Sequence, residues 1–355
     1  LNYDREPATT QLKADRVIGC LLGTAVGDAL GLPREGLNRA RAQRLFGGAP
    51  LRYHFLGHRG MVSDDTEHAC LTAQALLKSS GDPATFAPAL AWGLRGWLLG
   101  LPAGIGFATL RALLKLSGGW SPARSGVHSA GNGPAMRAPV IGVWGASRES
   151  LIPLVRASTR LTHTDPRAEQ GAYAIAYAAH IGARTGPVAN PDAFIANLLP
   201  AIDDSDLASN LEAMLPHLRR GATPEAFADA MGCGNGISGF INHTVPVALY
   251  CWLRYPENFR PAVESAILLG GDADTVGAIV GGLAGATLGA DAIPGEWLTG
   301  LWEWPRTVAW MQALGEQLAE HGAPLPLTWP AIPPRNLLFT CVVLLHGLRR
   351  LLPPY

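Results

Sequence analysis

Glycine recurs at every fourth residue in two apolar segments: Gly19, Gly23, Gly27 and Gly31 near one end, and Gly277, Gly281, Gly285 and Gly289 near the other. In an α-helix that spacing lays all the glycines of a segment on one face. Glycine inside a helix costs about 1 kcal/mol relative to alanine, so the stripes call for compensation. Close backbone approach by another helix is the simplest one, because a bare face permits it. Membrane helix pairs use similar spacings. Here the first segment carries Asp28 and the second is entered through Asp272 and Asp274. The expectation is two tightly packed central helices in a water-soluble bundle.

The rest of the chain reads the same way. Apolar residues at spacings of three and four mark helices near 14–31, 65–80, 84–98, 104–116, 148–159, 167–182, 189–199, 208–219, 224–231, 241–254, 259–269, 275–290, 294–319 and 337–350. Alternating β-branched runs are nearly absent, and only 51–57 is ambiguous. The fold class is therefore all-α. Linkers are short and composition does not shift, so residues 14–350 read as one domain after a loose arm, 1–13. The 42 glycines and 28 prolines follow no G-X-Y period, which excludes collagen. The proline-rich stretch before residue 337 reads as extended, and the last helix should pack back on the body.

Charge and cysteine usage narrow the function classes. The 28 basic and 28 acidic residues balance, and no basic block is present, so no obligate nucleic-acid partner is expected. The 5 cysteines, Cys20, Cys70, Cys233, Cys251 and Cys341, form no CxxC pair and read as free thiols of a reducing compartment. The polar first residues lack the pattern of a signal peptide. The apolar runs read as interrupted by charge or too short for a bilayer. A cytoplasmic protein with no membrane partner is the expectation.

Two acidic clusters stand out in a chain with only 16% charged residues. One is Ser63, Asp64, Asp65, Thr66 and Glu67; the other is Asp272, Asp274 and Thr275. Each precedes a long apolar helical run. N-capping accounts for one oxygen donor per helix, with Glu67 closing a capping box. It does not account for paired carboxylates plus hydroxyls in two distant places. Such hard-oxygen donors suit Mg²⁺ or Mn²⁺. Asp28 lies within the first glycine helix, and Glu35 follows GLPR where that helix should end; an acid there could position water or act as a base. Three further segments could hold a ligand: SAGNGPAMRAP, a glycine-rich loop offering N–H groups to phosphate; LTHTDPR; and GCGNGISGFINHT. The Walker A, GxGxxG, HExxH and GxSxG patterns are missing.

Taken in order, GCLLGTAVGDALGLPREG, MVSDDTEHA, SAGNGPAMR, LTHTDPRA and LLGGDADTVGAIVGGLAGATLG resemble the ADP-ribosylglycohydrolase family, DraG-like or ARH-like. The resemblance implies a single compact all-α domain with a central binuclear metal cleft. It implies two Mg²⁺ ions, with Mn²⁺ as the alternative, on Ser63, Asp64, Asp65, Asp272, Asp274 and Thr275. It gives catalytic roles to Glu35, Asp64 and Asp65. Substrate contacts fall on Asp28, Ser129, Gly131, Asn132, Gly133, Met136 and His163, and on the loop of Gly234, Gly236, Ser238, Gly239 and Phe240. Ser63 stands where threonine is common, and DAD replaces the frequent DTD; both keep the ligating oxygens. The implied activity is removal of ADP-ribose from a modified protein side chain, arginine first. Two alternatives remain at this point. One is an immunity or binding protein that blocks an ADP-ribosyltransferase. The other is a hydrolase of a serine, ester or nucleic-acid-base linkage, or of a small ADP-ribosyl or ribosyl compound.

Overall fold

The two glycine faces meet. In the computed structural model, which describes residues 14–55 and 57–353, helices Ala14–Gly31 and Ala273–Leu288 run against each other at the centre. A Cβ added at Gly23 would stand 2.1 Å from the Gly281 carbonyl oxygen, and one at Gly27 would stand 1.9 Å from that of Gly277. A side chain of any size would force the backbones apart, so the stripe is a close-approach surface. The arm 1–13 lies outside the described residues.

Around this pair pack helices Asp64–Ser79, Gly133–Trp144, Pro166–Thr185, Phe259–Leu268 and Val308–Ala319. One hydrophobic core runs from Val17 to Leu318. Among the described residues the only sheet-like pairings are isolated bridges, so the domain is all-α as expected. The described residues of the ambiguous 51–57 segment are irregular, with a single bridge from Phe55 to Arg59.

Four sequence readings need correction. The glycine-rich 129–139 segment is not all loop: a helix starts at Gly133, with Pro134 in its first turn where no N–H is required. Residues 104–106, expected as the start of a helix, are irregular, and the helix begins at Phe107. The short helix Arg39–Phe46 has no apolar stripe to betray it, and only Ala42 is buried. The 294–319 run breaks into Gly295–Gly300 and Val308–Ala319 around Pro305.

The last helix spans Ile332–Arg349, with Pro333 and Pro334 tolerated in its first turn. It packs back through Ile332, Arg335, Asn336, Phe339 and Val342, but leaves Leu337, Leu344, Leu345 and Leu348 exposed. The apolar segments also exceed expectation in length. Ala14–Arg34 and Trp329–Arg349 are both long and apolar enough to cross a membrane; the first is 89% buried within the fold, the second 28%.

Candidate active site

Asp28 sets the geometry of the first acidic cluster. It is fully buried on the first glycine helix, and its carboxylate accepts the Ser63 N–H at 2.9 and 3.1 Å and the Thr66 N–H at 3.2 Å. The Thr66 hydroxyl donates to it at 2.5 Å. Asp28 thus anchors the N-terminus of helix Asp64–Ser79 and does not line the cleft, which corrects its expected place as a substrate contact. Ser63 caps the same helix, its Oγ accepting the Asp65 N–H at 3.3 Å. Glu67 closes no capping box: its carboxylate takes Trp97 Nε1 at 2.6 Å and Arg306 at 2.7 Å. Capping therefore explains Ser63 and leaves Asp64 and Asp65 free for other work.

The second cluster is held by a turn that only glycine accommodates. Gly270 and Gly271 have φ of 71° and 77°, and a Cβ on Gly271 would lie 2.1 Å from the Ile237 carbonyl oxygen. Backbone bonds then stitch four segments together. Gly271 N–H donates to Leu37 O at 2.7 Å and Gly36 N–H to Gly271 O at 2.8 Å. Asp272 N–H donates to Ile237 O at 2.7 Å and Asn132 N–H to Gly239 O at 3.0 Å. This places Glu35 beside the start of the second glycine helix. Glu35, Asp272 and Asp274 can each present one oxygen within 4.8 Å of the others. Thr275 Oγ1 donates to Asp65 Oδ2 at 3.1 Å, joining the two clusters across 210 residues of sequence.

The gathering is electrostatically strained. Burial pushes the Asp64, Asp65 and Asp274 carboxyls well above the usual range, and their acidic neighbours push them further: Asp28, Glu35 and Glu67 on Asp64, and Asp28, Asp64 and Asp272 on Asp65. Glu35 and Asp272 do the same to Asp274. Burial raises Asp28 to about 6 against its hydrogen bonds. Glu35 is raised by the desolvation of its cleft position and by the Asp272 charge, while Arg350 and a hydrogen bond with Asp274 draw it down. Two carboxylate oxygens, Asp65 Oδ1 and Asp274 Oδ1, are buried without a donor. Closely set carboxylates with unused buried oxygens are a hard-oxygen donor set that a positive charge would satisfy. These residues fit a divalent cation.

A cavity of about 350 Å³ opens on this set. Of the expected residues, Glu35, Asp64, Ser129, Gly131, Asn132, Gly133, Met136, His163, Gly239, Asp272, Asp274 and Thr275 line it. Asn132 Nδ2 donates to Asp272 Oδ2 at 2.5 Å, tying the glycine-flanked asparagine to the acids. His163 is neutral, its pKa lowered to about 3 by burial and by Arg137. Its Nδ1 meets Thr162 Oγ1 at 2.9 Å.

Ser63 and Asp65 are buried and do not line the cavity. The 234–240 loop is brought in at one point only. Gly239 lines the cavity, but Gly234 borders a separate one with Asn38, Arg39 and Glu225. Gly236 packs on Gly271, Ser238 bonds His243 Nδ1 at 2.8 Å, and Phe240 lies under the Arg167 guanidinium at 5.5 Å. Sequence reasoning missed the wall from Gly104 to Thr109. Its signal is the LPAGIGF turn, whose glycines read there as the first residues of a helix.

Comparison with known proteins agrees with this geometry. Residues 9–325 match the ADP-ribosylglycohydrolase family. The ADP-ribosyl-[dinitrogen reductase] glycohydrolase of Rhodospirillum rubrum is 28% identical over 299 residues, covering 81% of this chain and 90% of that protein. The ADP-ribosylarginine hydrolase Tri1 of Pseudomonas putida is 30% identical over 328 residues, covering 88% of this chain and 79% of that protein. A solved structure titled "ADP-ribosylglycohydrolase-related protein complex" superposes with a TM-score of 0.65 at 30% identity, covering 87% of this chain and 98% of that one. With acids at the starts of two helices converging on one cleft, and the match running through both, the chain belongs to the ADP-ribosylglycohydrolase family.

Proposed function

We propose that this cleft hydrolyses the bond between ADP-ribose and an arginine side chain of a modified protein, with two Mg²⁺ ions that Mn²⁺ can replace. The observation that carries the reading is the joining of the two acidic clusters by the bond from Thr275, which lines a ligand-sized cavity, to Asp65 buried behind it. Asp64, Asp65, Asp272, Asp274 and Thr275, with the Ser63 hydroxyl, would hold the ions. Bound there, the ions supply positive charge that orients the sugar and stabilises charge at the breaking bond. Glu35 receives the proton of the attacking water; desolvation and neighbouring acids raise its pKa, which strengthens it as a base. The Gly133 N–H, at the start of helix Gly133–Trp144, and the positive end of that helix receive the pyrophosphate. Neutral His163 offers a hydrogen bond to the ligand without bringing a competing charge.

Arginine is favoured among leaving groups because a relative named for ADP-ribosylarginine aligns over 88% of the chain. A substrate panel tests the proposal. ADP-ribose release is measured in Mg²⁺ from arginine-, serine-, glutamate- and nucleic-acid-linked ADP-ribose. Fastest release from arginine is expected. Release from serine, ester or base linkages alone would move the substrate class. No release from any of them would overturn the hydrolase reading.

A further inference from the structure

The helix Ile332–Arg349 lies beyond the residues 9–325 that match the family, yet it bonds three segments that lead into the lining of the cleft. Asn336 Nδ2 donates to Gly100 O at 2.7 Å, at the head of the turn that leads into the cavity-lining Gly104–Thr109 segment. Arg335 donates to Val62 O at 2.6 Å and pairs with Glu303 at 2.5 Å. Glu303 in turn accepts the Val62 N–H at 3.2 Å. Both backbone groups of the residue before Ser63 are therefore fixed from this helix. At its far end the Arg350 guanidinium spans two carbonyls, Pro33 O at 2.6 Å and Glu35 O at 2.7 Å. His346 Nε2 adds a third bond, to Pro33 O at 2.9 Å. The His346 ring stacks on Phe46 with centroids 5.4 Å apart and meets the edge of Phe55 at 4.9 Å. The Arg350 carbonyl is itself taken by Arg41.

We propose that Arg350 is a positioning residue for Glu35, its guanidinium bridging the Pro33 and Glu35 carbonyls and so fixing where the Glu35 carboxylate stands beside Asp272 and Asp274. The Glu35 part of this inference rests on the proton-accepting role given above. The physical case is that the backbone turns sharply here, from a 3-10 turn into Glu35 at ψ 133° and Gly36 at φ 72°. Leu37 and Gly36 are tied to Gly271 and the Arg34 side chain to the Phe46 and Gly47 carbonyls, while the Pro33 and Glu35 carbonyls on either side of Arg34 are held from the C-terminal helix. A planar fork with several donors can hold two carbonyls at once, whereas an ammonium is a point donor on a flexible stem.

The test has two arms on the full chain. In the first, amide hydrogen exchange is read at Gly36 and Leu37 without added metal. Arg350→Ala should speed exchange there at least tenfold, while amides of the central glycine helices stay protected. Unchanged exchange at Gly36 and Leu37 would overturn the clamp. In the second, kinetics are read in a double-mutant cycle. Arg350→Ala should lower kcat at least tenfold at near-constant KM, Arg350→Lys should recover part of it, and Arg350→Ala should cost little more in a Glu35→Gln background. A loss that adds in full to that of Glu35→Gln would overturn action through Glu35. If Arg350→Ala fails to fold, Arg350→Gln carries both arms with the same criteria. If the wild type releases ADP-ribose from no substrate, the proposed function falls, and the exchange arm alone decides the clamp.

Discussion

Replacing Gly281 by alanine should destabilise this protein, although the same change in an open helix stabilises it. A Cβ at residue 281 would stand 2.1 Å from the Gly23 carbonyl oxygen and 2.8 Å from its carbonyl carbon. An ordinary contact begins near 3.4 Å, so the two central helices must part by more than ~1 Å. Overpacking a core usually costs 1–3 kcal/mol. Here both parties are backbone and neither can rotate away, which places the cost near or above about 3 kcal/mol. The gain in helix propensity returns about 1 kcal/mol. The net loss should be about 2 kcal/mol or more, near 3 °C in Tm for a chain of this length given about 2.1 cal/mol/K of unfolding entropy per residue. Gly96→Ala is the control. Its Cβ would meet nothing nearer than Trp329 Nε1 at 3.9 Å, so it should gain roughly 0.5–1 kcal/mol. Urea and thermal unfolding of both variants measure the pair. Equal stabilisation by the two substitutions would refute the close-approach reasoning, because propensity alone would then govern both sites.

Asp274→Asn should lower calorimetric Mg²⁺ uptake sharply and raise the Tm of the metal-free protein, since it removes one charge from a crowded, buried set. Metal-free stability should fall as pH rises: Asp28 has a folded pKa of about 6 against an ordinary 3.8, so the folded state holds the extra proton, and the stabilisation is lost as pH climbs through about 6. Urea midpoints between roughly pH 5 and pH 7 read this, and saturating Mg²⁺ should flatten or reverse the trend. Glu303→Gln leaves buried Arg335 with half its counter-charge, so unfolding should show a loss of about 3–5 kcal/mol, whereas Glu296→Gln on the surface, facing Arg260, should leave the unfolding midpoint nearly unchanged.

The central helix pair could be read from sequence because fourfold glycine admits few packings. The acids could be read because a chain poor in charge does not place adjacent carboxylates before apolar helices without a use. What escaped had other causes. Asp28 and Asp64 look alike as letters, but one is turned onto the Ser63 and Thr66 amides and the other onto the cavity; that is a matter of helix rotation fixed by packing. Glycines serve turns and ligand cradles alike, so the 234–240 loop looked wholly functional when only Gly239 reaches the cavity. The bond from Arg350 to Glu35 spans 315 residues, and no local pattern encodes it. The all-α fold followed from apolar spacings of three and four and the family from ordered motifs, while the Gly104–Thr109 wall hid behind a helical pattern that starts three residues later than the glycines suggested.

The most direct test follows ADP-ribose release from an ADP-ribosyl-arginine protein in a single sample, first with Mg²⁺, then after excess chelator, then after Mg²⁺ is restored. Release should stop on chelation and recover on restoration, and Asp64→Asn and Asp274→Asn should show none of it. Undiminished release in chelator, or full activity in the two variants, would contradict the assignment of the joined acidic clusters as the metal-dependent centre.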